Sequence, residues 1–409
     1  MDVIHILILT LSIVILMSFK KITLFLLLYG TTFIYFIPIF IGHYVYMNFD
    51  NTGVTIINET IHPYLYTLTT LILLSMSLFH ILAYYNFKTT IEFKDKIKMK
   101  KVEYLLIYIS IIIQALVIID LGDTIFSEDK HDIMDKLSSL YNMKIAFELI
   151  LLAVVVSFKT INKYHLTILI FLFAFDLFIG FRYSLIQAVG IFLIVRFYNK
   201  RFTWKNIAVA SPLLILMFSF FSIFGNLRTE LRLFDFETII NKTSSFDWWL
   251  YSFTHFEPMS IFGIFNETVS SGIQCNAFDI LGTTLVSSLV PFSGRFINYE
   301  TFHDCFQPML FPGFESIASN PWGEAYSFGS TTGVFLFLFL FLFFTLLASY
   351  ILENGKDLLK LYFVVLLGII VIYFQRSDIN FLFFSMKRLL MAFIFIYFVL
   401  KVKFNYAKN

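Results

Sequence analysis

Five of the eight arginines in this chain, Arg182, Arg228, Arg232, Arg295 and Arg376, sit at the ends of apolar runs or in the long polar stretch between them. A guanidinium stays charged at any biological pH, and its planar fork fits phosphate oxygens two at a time. Several of them on one side of a membrane point to a polyanionic ligand. The plainer alternative is salt bridging: residues 226–331 carry eleven acids against four basic residues. Arg182 in Gly180-Phe-Arg-Tyr and Arg376 in Gln375-Arg-Ser-Asp occupy breaks of almost no length between apolar runs, which pins both at a membrane surface. Arg228 and Arg232 are four residues apart and share a face if their segment is helical.

Two candidates could handle protons. Glu324 lies in Asn320-Pro-Trp-Gly-Glu-Ala-Tyr-Ser-Phe-Gly, a Gly- and hydroxyl-rich approach to an apolar run. A carboxylate there can act as a general base, or it can simply favour a helix N-terminus. His255 and Glu257, in Thr254-His-Phe-Glu-Pro, share a side of an extended segment, although a lone histidine is more often a structural hydrogen bonder. Trp248-Trp249 reads as a boundary anchor or a sugar platform, the anchor being the commoner use. Asp235-Phe-Glu237 matches a metal site only loosely, and no His-x3-His pair or cysteine cluster suggests zinc. We therefore expect neither metal nor cofactor. Phosphate-binding loops, dinucleotide motifs and nucleophile elbows are absent from the sequence.

These residues must be positioned by membrane helices. Hydrophobic residues make up 58% of the 409 residues and charged residues 14%, far from a soluble composition. Eleven apolar runs approach spanning length: about 3–19, 22–42, 64–86, 103–122, 143–158, 165–181, 183–198, 207–225, 332–352, 361–375 and 380–400. The first lacks a basic leader and a small-residue cleavage site, so we expect a retained helix. The last carries Lys387 and Arg388 inside it. The run Phe335-Leu-Phe-Leu-Phe-Leu-Phe needs no special function, because lipid accepts any apolar side chain. The expected fold is all-α and polytopic: an N-terminal bundle (1–225), one large loop (226–331) and C-terminal spans with a short tail (332–409).

Lysine in short loops orients the bundle. Lys20 and Lys21, six lysines between Lys88 and Lys101, Lys159 and Lys163, then Lys200 and Lys205, and the tail lysines all fall on one side of an eleven-span chain. That side is expected to be cytoplasmic, with the N-terminus and the 226–331 loop on the other. The large loop holds five of the eight prolines, three of the four tryptophans and both cysteines. An exported compartment permits a Cys275–Cys305 disulfide; two free thiols are the alternative. No basic stripe suggests nucleic acid.

The span number, the late large loop, Gly180-Phe-Arg-Tyr-Ser, Trp322-Gly-Glu-Ala-Tyr-Ser-Phe-Gly and Arg376 in a short outer loop together resemble the Wzy-type O-antigen polymerases of Gram-negative inner membranes. The arginine-x10-glycine spacing of some members does not occur at these arginines, so no role is carried over through it. The resemblance implies a GT-C-like membrane glycosyltransferase in which undecaprenyl-diphosphate-linked oligosaccharide is both donor and acceptor. A chain-length regulator and a flippase would be its partners, besides membrane lipid. It further implies that Arg182, Arg228, Arg232, Arg295 and Arg376 bind the diphosphate. Glu324 or His255 would take a proton, and Trp322, Tyr326 and Trp248 would contact sugar. Two alternatives stay open: an O-antigen ligase, in which a loop histidine matters, and a lipid-linked oligosaccharide flippase or transporter.

Overall fold

The computed structural model describes residues 2–50, 53–127, 132–133, 136, 139–158, 161–203, 223, 227, 230–231, 233–246, 248–249, 257–289, 302–310 and 319–406. Lipid offers the backbone no partners, so apolar runs close their hydrogen bonds internally as helices. The first half contains α1 (Val3–Ser18), α2 (Leu24–Tyr35), α3 (Pro38–Ile41), α4 (Pro63–Asn86), α5 (Lys96–Leu121), α6 (Ser139–Ser157), α7 (Lys163–Phe178) and α8 (Tyr183–Phe197). Four helices follow within the large loop: α9 (Phe236–Ser244), α10 (Glu257–Ser271), α11 (Ala277–Leu289) and α12 (Phe302–Leu310). The chain ends in α13 (Pro321–Asn354), α14 (Asp357–Tyr373) and α15 (Ile379–Tyr406).

Six helical stretches among the described residues are long and apolar enough to cross a membrane: Pro63–Asn86, Lys96–Phe126, Leu140–Ser157, Pro321–Asn354, Asp357–Arg376 and Ile379–Lys401. Val3–Ser18, Leu24–Tyr35, Tyr183–Phe197 and Ala277–Val286 are shorter apolar helices. The chain is a helical, multi-pass membrane protein. Ten of the eleven expected runs coincide with helices; the run 207–225, apart from Ile223, lies outside the described residues. Helix starts are where the structure departs most from hydropathy. α5 begins seven residues before its apolar run because Asp95 caps it, accepting from the Lys98 N–H at 2.9 Å, and because lysines tolerate the aqueous turn. Among the described residues one hairpin departs from the all-helical expectation. β1 (His43–Asp50) pairs antiparallel with β2 (Gly53–Thr60), with His43 opposite Thr60. Residues 54–57, Val-Thr-Ile-Ile, are β-branched and suit a strand.

Loops of like parity meet. The Ile22 N–H donates to the Lys200 carbonyl at 2.9 Å, and the Asn199 N–H donates to Ile22 at 2.7 Å. Asn199 Nδ2 reaches the Thr89 carbonyl at 2.7 Å. Glu353 accepts from the Thr89 N–H at 2.6 Å, and Asp357 from the Asp95 N–H at 2.8 Å. Lys21 bonds the Phe87 carbonyl, and burial pushes its ammonium below the usual lysine range. The 19–22, 86–95, 198–202 and 353–357 connections thus form one lysine-rich face. The opposite face gathers the end of α2, the starts of α4, α6, α8, α13 and α15, and the ends of α7 and α14.

Packing inside the bundle relies on close backbone approach, since lipid supplies no hydrophobic drive between helices. A Cβ on Gly190 of α8 would sit 2.0 Å from the Gly368 carbonyl of α14, and a Cβ on Gly368 would sit 2.3 Å from Ile191. Only glycine lets these two helices cross so tightly. The phenylalanine run of α13 splits by helical spacing. Leu336, Phe339, Leu340, Phe343 and Leu347 are exposed, as lipid contact requires, while Val334, Leu338, Phe341 and Leu342 are buried.

In the large loop, α9 exposes Phe236 and Ile240. The apolar helix α11 packs against α15. Cys275 and Cys305 form a disulfide of 2.04 Å. It lies within a cluster of Tyr35, Ile261, Ile264, Ile280, Phe302 and Phe306, and so ties α10, α11 and α12 to the end of α2. Two results are expected. A thiol-reactive maleimide should label the denatured protein only after reduction, and labelling without reductant would contradict the bond. Gly368→Val should lower the melting temperature of the purified protein by more than Gly282→Ala does, because nothing lies within 4 Å of a Cβ at Gly282.

Candidate functional site

Three turns on the face opposite the lysines build the site. The first joins α7 to α8: the Phe181 N–H donates to the Asp176 carbonyl at 2.7 Å, and Arg182 occupies the position before the first turn of α8. Arg182 is half-buried and engaged with its surroundings.

The second turn, Phe374 to Asp378, joins α14 to α15. Gln375 is buried and fixed from two sides: its Oε1 accepts from Trp322 Nε1 at 2.8 Å, and its Nε2 donates to Thr32 Oγ1 at 2.7 Å. The Arg376 guanidinium lies 5.0 Å from the centre of the Tyr373 ring, a cation–π distance. Asp378 caps α15, accepting from the Phe381 N–H at 2.7 Å. Glu324 Oε2 accepts from the Ile379 N–H at 2.6 Å, which fastens the start of α15 to the start of α13.

The third element is the beginning of α13. Asn320 caps it, accepting from the Trp322 and Gly323 N–H groups at 2.9 and 3.1 Å. The helix then breaks at Gly329 and Ser330, where Ser330 holds φ of 52° and ψ of −136°. That left-handed φ is costly for a residue with a side chain and persists only where packing enforces it. The break folds Pro321–Phe328 back on the span: a Cβ at Gly333 would lie 2.1 Å from the Ala325 carbonyl, so only glycine fits there. Irregular backbone at membrane depth occurs where protein or a polar cavity shields it. Hydropathy puts the span start near 332, two residues beyond this break, and the helix N-terminus that the sequence allowed at Glu324 is the folded-back segment ahead of it.

Beneath these turns is a set of ionisable groups inside the bundle. Lys144 of α6 reaches Asp176 of α7 at 2.6 Å and Glu148, one turn along α6, at 3.0 Å, all three fully buried. Tyr141 donates to Asp176 at 3.1 Å. Tyr183, the first residue of α8, lies 6.5 Å from Tyr141 and 6.2 Å from Tyr373, ring centre to ring centre. Arg388 of α15 donates to Asn142 Oδ1 at 3.1 Å and lies within electrostatic range of Tyr141, Tyr183 and Tyr373. The arrangement gathers ionisable and hydroxyl side chains inside the bundle, joined by the Lys144–Asp176, Lys144–Glu148 and Tyr141–Asp176 contacts.

The structure brings Arg182, Arg376 and Glu324 to one end of the bundle. It treats the other expected residues differently. Trp322 is 0% exposed, packs edge-on against Phe337 and Phe374, and spends its N–H on Gln375, so no ring face is left for a sugar. Glu324 is also 0% exposed, so in this arrangement it positions a turn and does not face solvent. Tyr326 is half-buried near Tyr64 of α4. Trp248 stacks edge-on with Trp249 at 5.2 Å, and the described contacts do not connect it to the arginine turns. His255, Arg228, Arg232 and Arg295 lie outside the described residues. No cluster of His, Cys, Asp and Glu suited to a metal occurs among the described residues.

Lys144, Glu148 and Asp176 were not singled out from sequence, and Arg388 was noted only as a charge inside the last apolar run. The signal was available: an ionisable residue inside an apolar span is rare and calls for a functional reading. Comparison of the chain with known protein families, curated proteins and solved structures finds no match. The fold and site therefore have to be interpreted from their own geometry.

Removing one member of a buried ion cluster strands the others without compensation, at a cost of about 3–5 kcal/mol. Lys144→Met is expected to destabilise the protein by that order, and the triple change Lys144→Met, Glu148→Leu and Asp176→Asn to recover most of the loss. Thermal unfolding in detergent measures both. A single variant as stable as the parent would contradict the cluster.

Proposed function

We propose that the chain is a surface-polysaccharide polymerase of the O-antigen type, with the lysine-rich face in the cytoplasm and the site on the periplasmic side of an inner membrane. The supporting observation is the convergence of Arg182, Arg376 and Glu324. They come from distant parts of the sequence, and their turns meet through Tyr183–Tyr373 ring contact and the Glu324–Ile379 hydrogen bond. Orientation has two independent supports: the lysine loops on one face and the disulfide on the other, where an oxidising compartment is needed. Ten apolar helices plus the 207–225 run make the eleven spans of this reading.

The reaction is glycosyl transfer between lipid carriers. A sugar hydroxyl of a new lipid-linked repeat unit attacks the anomeric carbon of the growing chain. The bond from that carbon to undecaprenyl diphosphate breaks, the diphosphate leaves with the bonding electrons, and the hydroxyl proton passes to a base. Arg182 and Arg376 meet the charge that grows on the leaving diphosphate, and fixed donors of this kind are worth several kcal/mol. Glu324 holds the turn that carries Arg376 and Asp378. Asp378, two residues beyond Arg376 on that turn, and His255 of the large loop are the candidates to take that proton.

Transport of a lipid-linked glycan is a second reading, favoured by the buried Lys144–Glu148–Asp176 cluster, since transporters place charge within their spans. Gel patterns of surface glycan separate the possibilities. Arg182→Ala, Arg376→Ala and Glu324→Ala are each expected to abolish long chains, leaving a single repeat unit, at unchanged protein level in the membrane. Glu324→Gln keeps an acceptor for the Ile379 N–H and is expected to retain long chains. Complete loss of glycan from the surface would indicate a ligase or a transporter, and normal ladders from all three variants would refute the site.

A further inference from the structure

Arg388 poses a problem that the polymerase reading does not address. It lies on α15 nine residues after Ile379, about 13 Å along the helix axis from its start at 1.5 Å per residue. Side chains of a helix lean toward its N-terminus. Its guanidinium accordingly rises to Asn142, the fourth residue of α6, and to the zone of Tyr183, the first residue of α8, and Tyr373, the last of α14. That level is the membrane boundary on the face opposite the lysines.

Its hydrogen-bond partner is the Asn142 amide, and the phenols of Tyr141, Tyr183 and Tyr373 lie within electrostatic range; none of these groups is a carboxylate. Among the described residues no carboxylate lies within 4.0 Å of it. The buried acid Asp176 is already committed to Lys144 and Tyr141. The Arg388 Nε is buried with no acceptor. Among the described residues this half-buried guanidinium has no counter-ion, and a charge so placed in a membrane bundle is stabilised by an anion. The donors converging there, the Arg388 fork and neighbouring tyrosine hydroxyls, suit the oxygens of a phosphate.

We propose that Arg388, with Tyr183, Tyr373 and Asn142, forms an oxyanion subsite between α6, α8, α14 and α15 that binds the phosphate group of a membrane-embedded lipid. Two lipids share this chemistry: a polyprenyl diphosphate and an anionic phospholipid. The subsite does not depend on polymerase activity. If that activity holds, the site is where the lipid carrier enters.

The full-length protein is placed in phosphatidylcholine nanodiscs, and binding of farnesyl diphosphate is measured beside farnesol. In a parallel arm, phosphatidylglycerol replaces part of the phosphatidylcholine and melting temperature is recorded. Farnesyl diphosphate is expected to bind and farnesol not to. Arg388→Gln should weaken the diphosphate at least tenfold, with Arg388→Lys intermediate. Arg388→Gln should also raise the melting temperature of the ligand-free protein, because it removes an uncompensated charge; a merely structural arginine would give the opposite sign. Stabilisation by phosphatidylglycerol that depends on Arg388, without diphosphate binding, assigns the site to a phospholipid headgroup. Equal binding of both probes by wild type and Arg388→Gln overturns the subsite, as does Arg388-independent binding in Arg388→Lys should the glutamine variant not fold. Glycan chain length in cells reports separately on polymerase activity. Arg388-dependent binding with unchanged chain length keeps the subsite and takes it out of the polymerase reaction.

Discussion

The carboxylate of Glu324 on the amide of Ile379 ties together parts of the chain that otherwise have no reason to meet. The residue begins α13, and its partner begins α15. Four residues before that partner, Gln375 joins the same turn to Trp322 of α13 and Thr32 of α2. Glu324 Oε2 takes the Ile379 N–H, and the buried Gln375 amide bridges the Trp322 indole and the Thr32 hydroxyl, so two separate sets of buried hydrogen bonds fix the same turn, and breaking either is costly. Arg376 is held between these two anchors. Its position over Tyr373, and the relation of Tyr373 to Tyr183 and Arg182, follow from a turn that has no freedom to drift.

The two faces of the molecule use different physics. On the lysine-rich side, side chains accept or donate to backbone groups of neighbouring loops, as Glu353 and Asp357 do, and the arrangement closes the connections. On the other side, charge is turned inward. Lys144, Asp176 and Glu148 sit in the bundle, and Arg388 stands above them, bonded to Asn142 and with no carboxylate within 4.0 Å among the described residues. The glycine crossing of α8 and α14 brings the two helices that present Tyr183 and Tyr373 close enough for their rings to approach. A bulky side chain at Gly190 or Gly368 would act on the site at a distance, by parting those helices.

Much of this architecture was legible in the sequence. Apolar run length located ten helices, lysine loops predicted which connections would share a face, and two cysteines in one polar segment allowed the disulfide that forms. Arg182 and Arg376 were recognisable because a charge in a very short break has nowhere to go but the boundary. Other features were hidden for physical reasons. Hydropathy cannot see that Pro321–Phe328 is helical and folded back, since the break depends on backbone geometry at Ser330 and on space at Gly333. Trp322 and Glu324 stood out by type, yet tertiary packing encloses both. Lys144 and Glu148 were overlooked because their run was read by its length and mean apolarity, although a lysine and a glutamate one turn apart inside it were the clue.

The central claim is that the face holding Arg182, Arg376 and Glu324 transfers glycan from a polyprenyl diphosphate. Reconstitution of the purified chain with a synthetic polyprenyl-diphosphate-linked repeat unit tests it most directly, with products resolved by length and freed polyprenyl diphosphate counted. The expected result is glycan of two or more repeats, with one diphosphate lipid released for each new linkage. A folded protein that yields no longer product and releases no diphosphate lipid would contradict the claim.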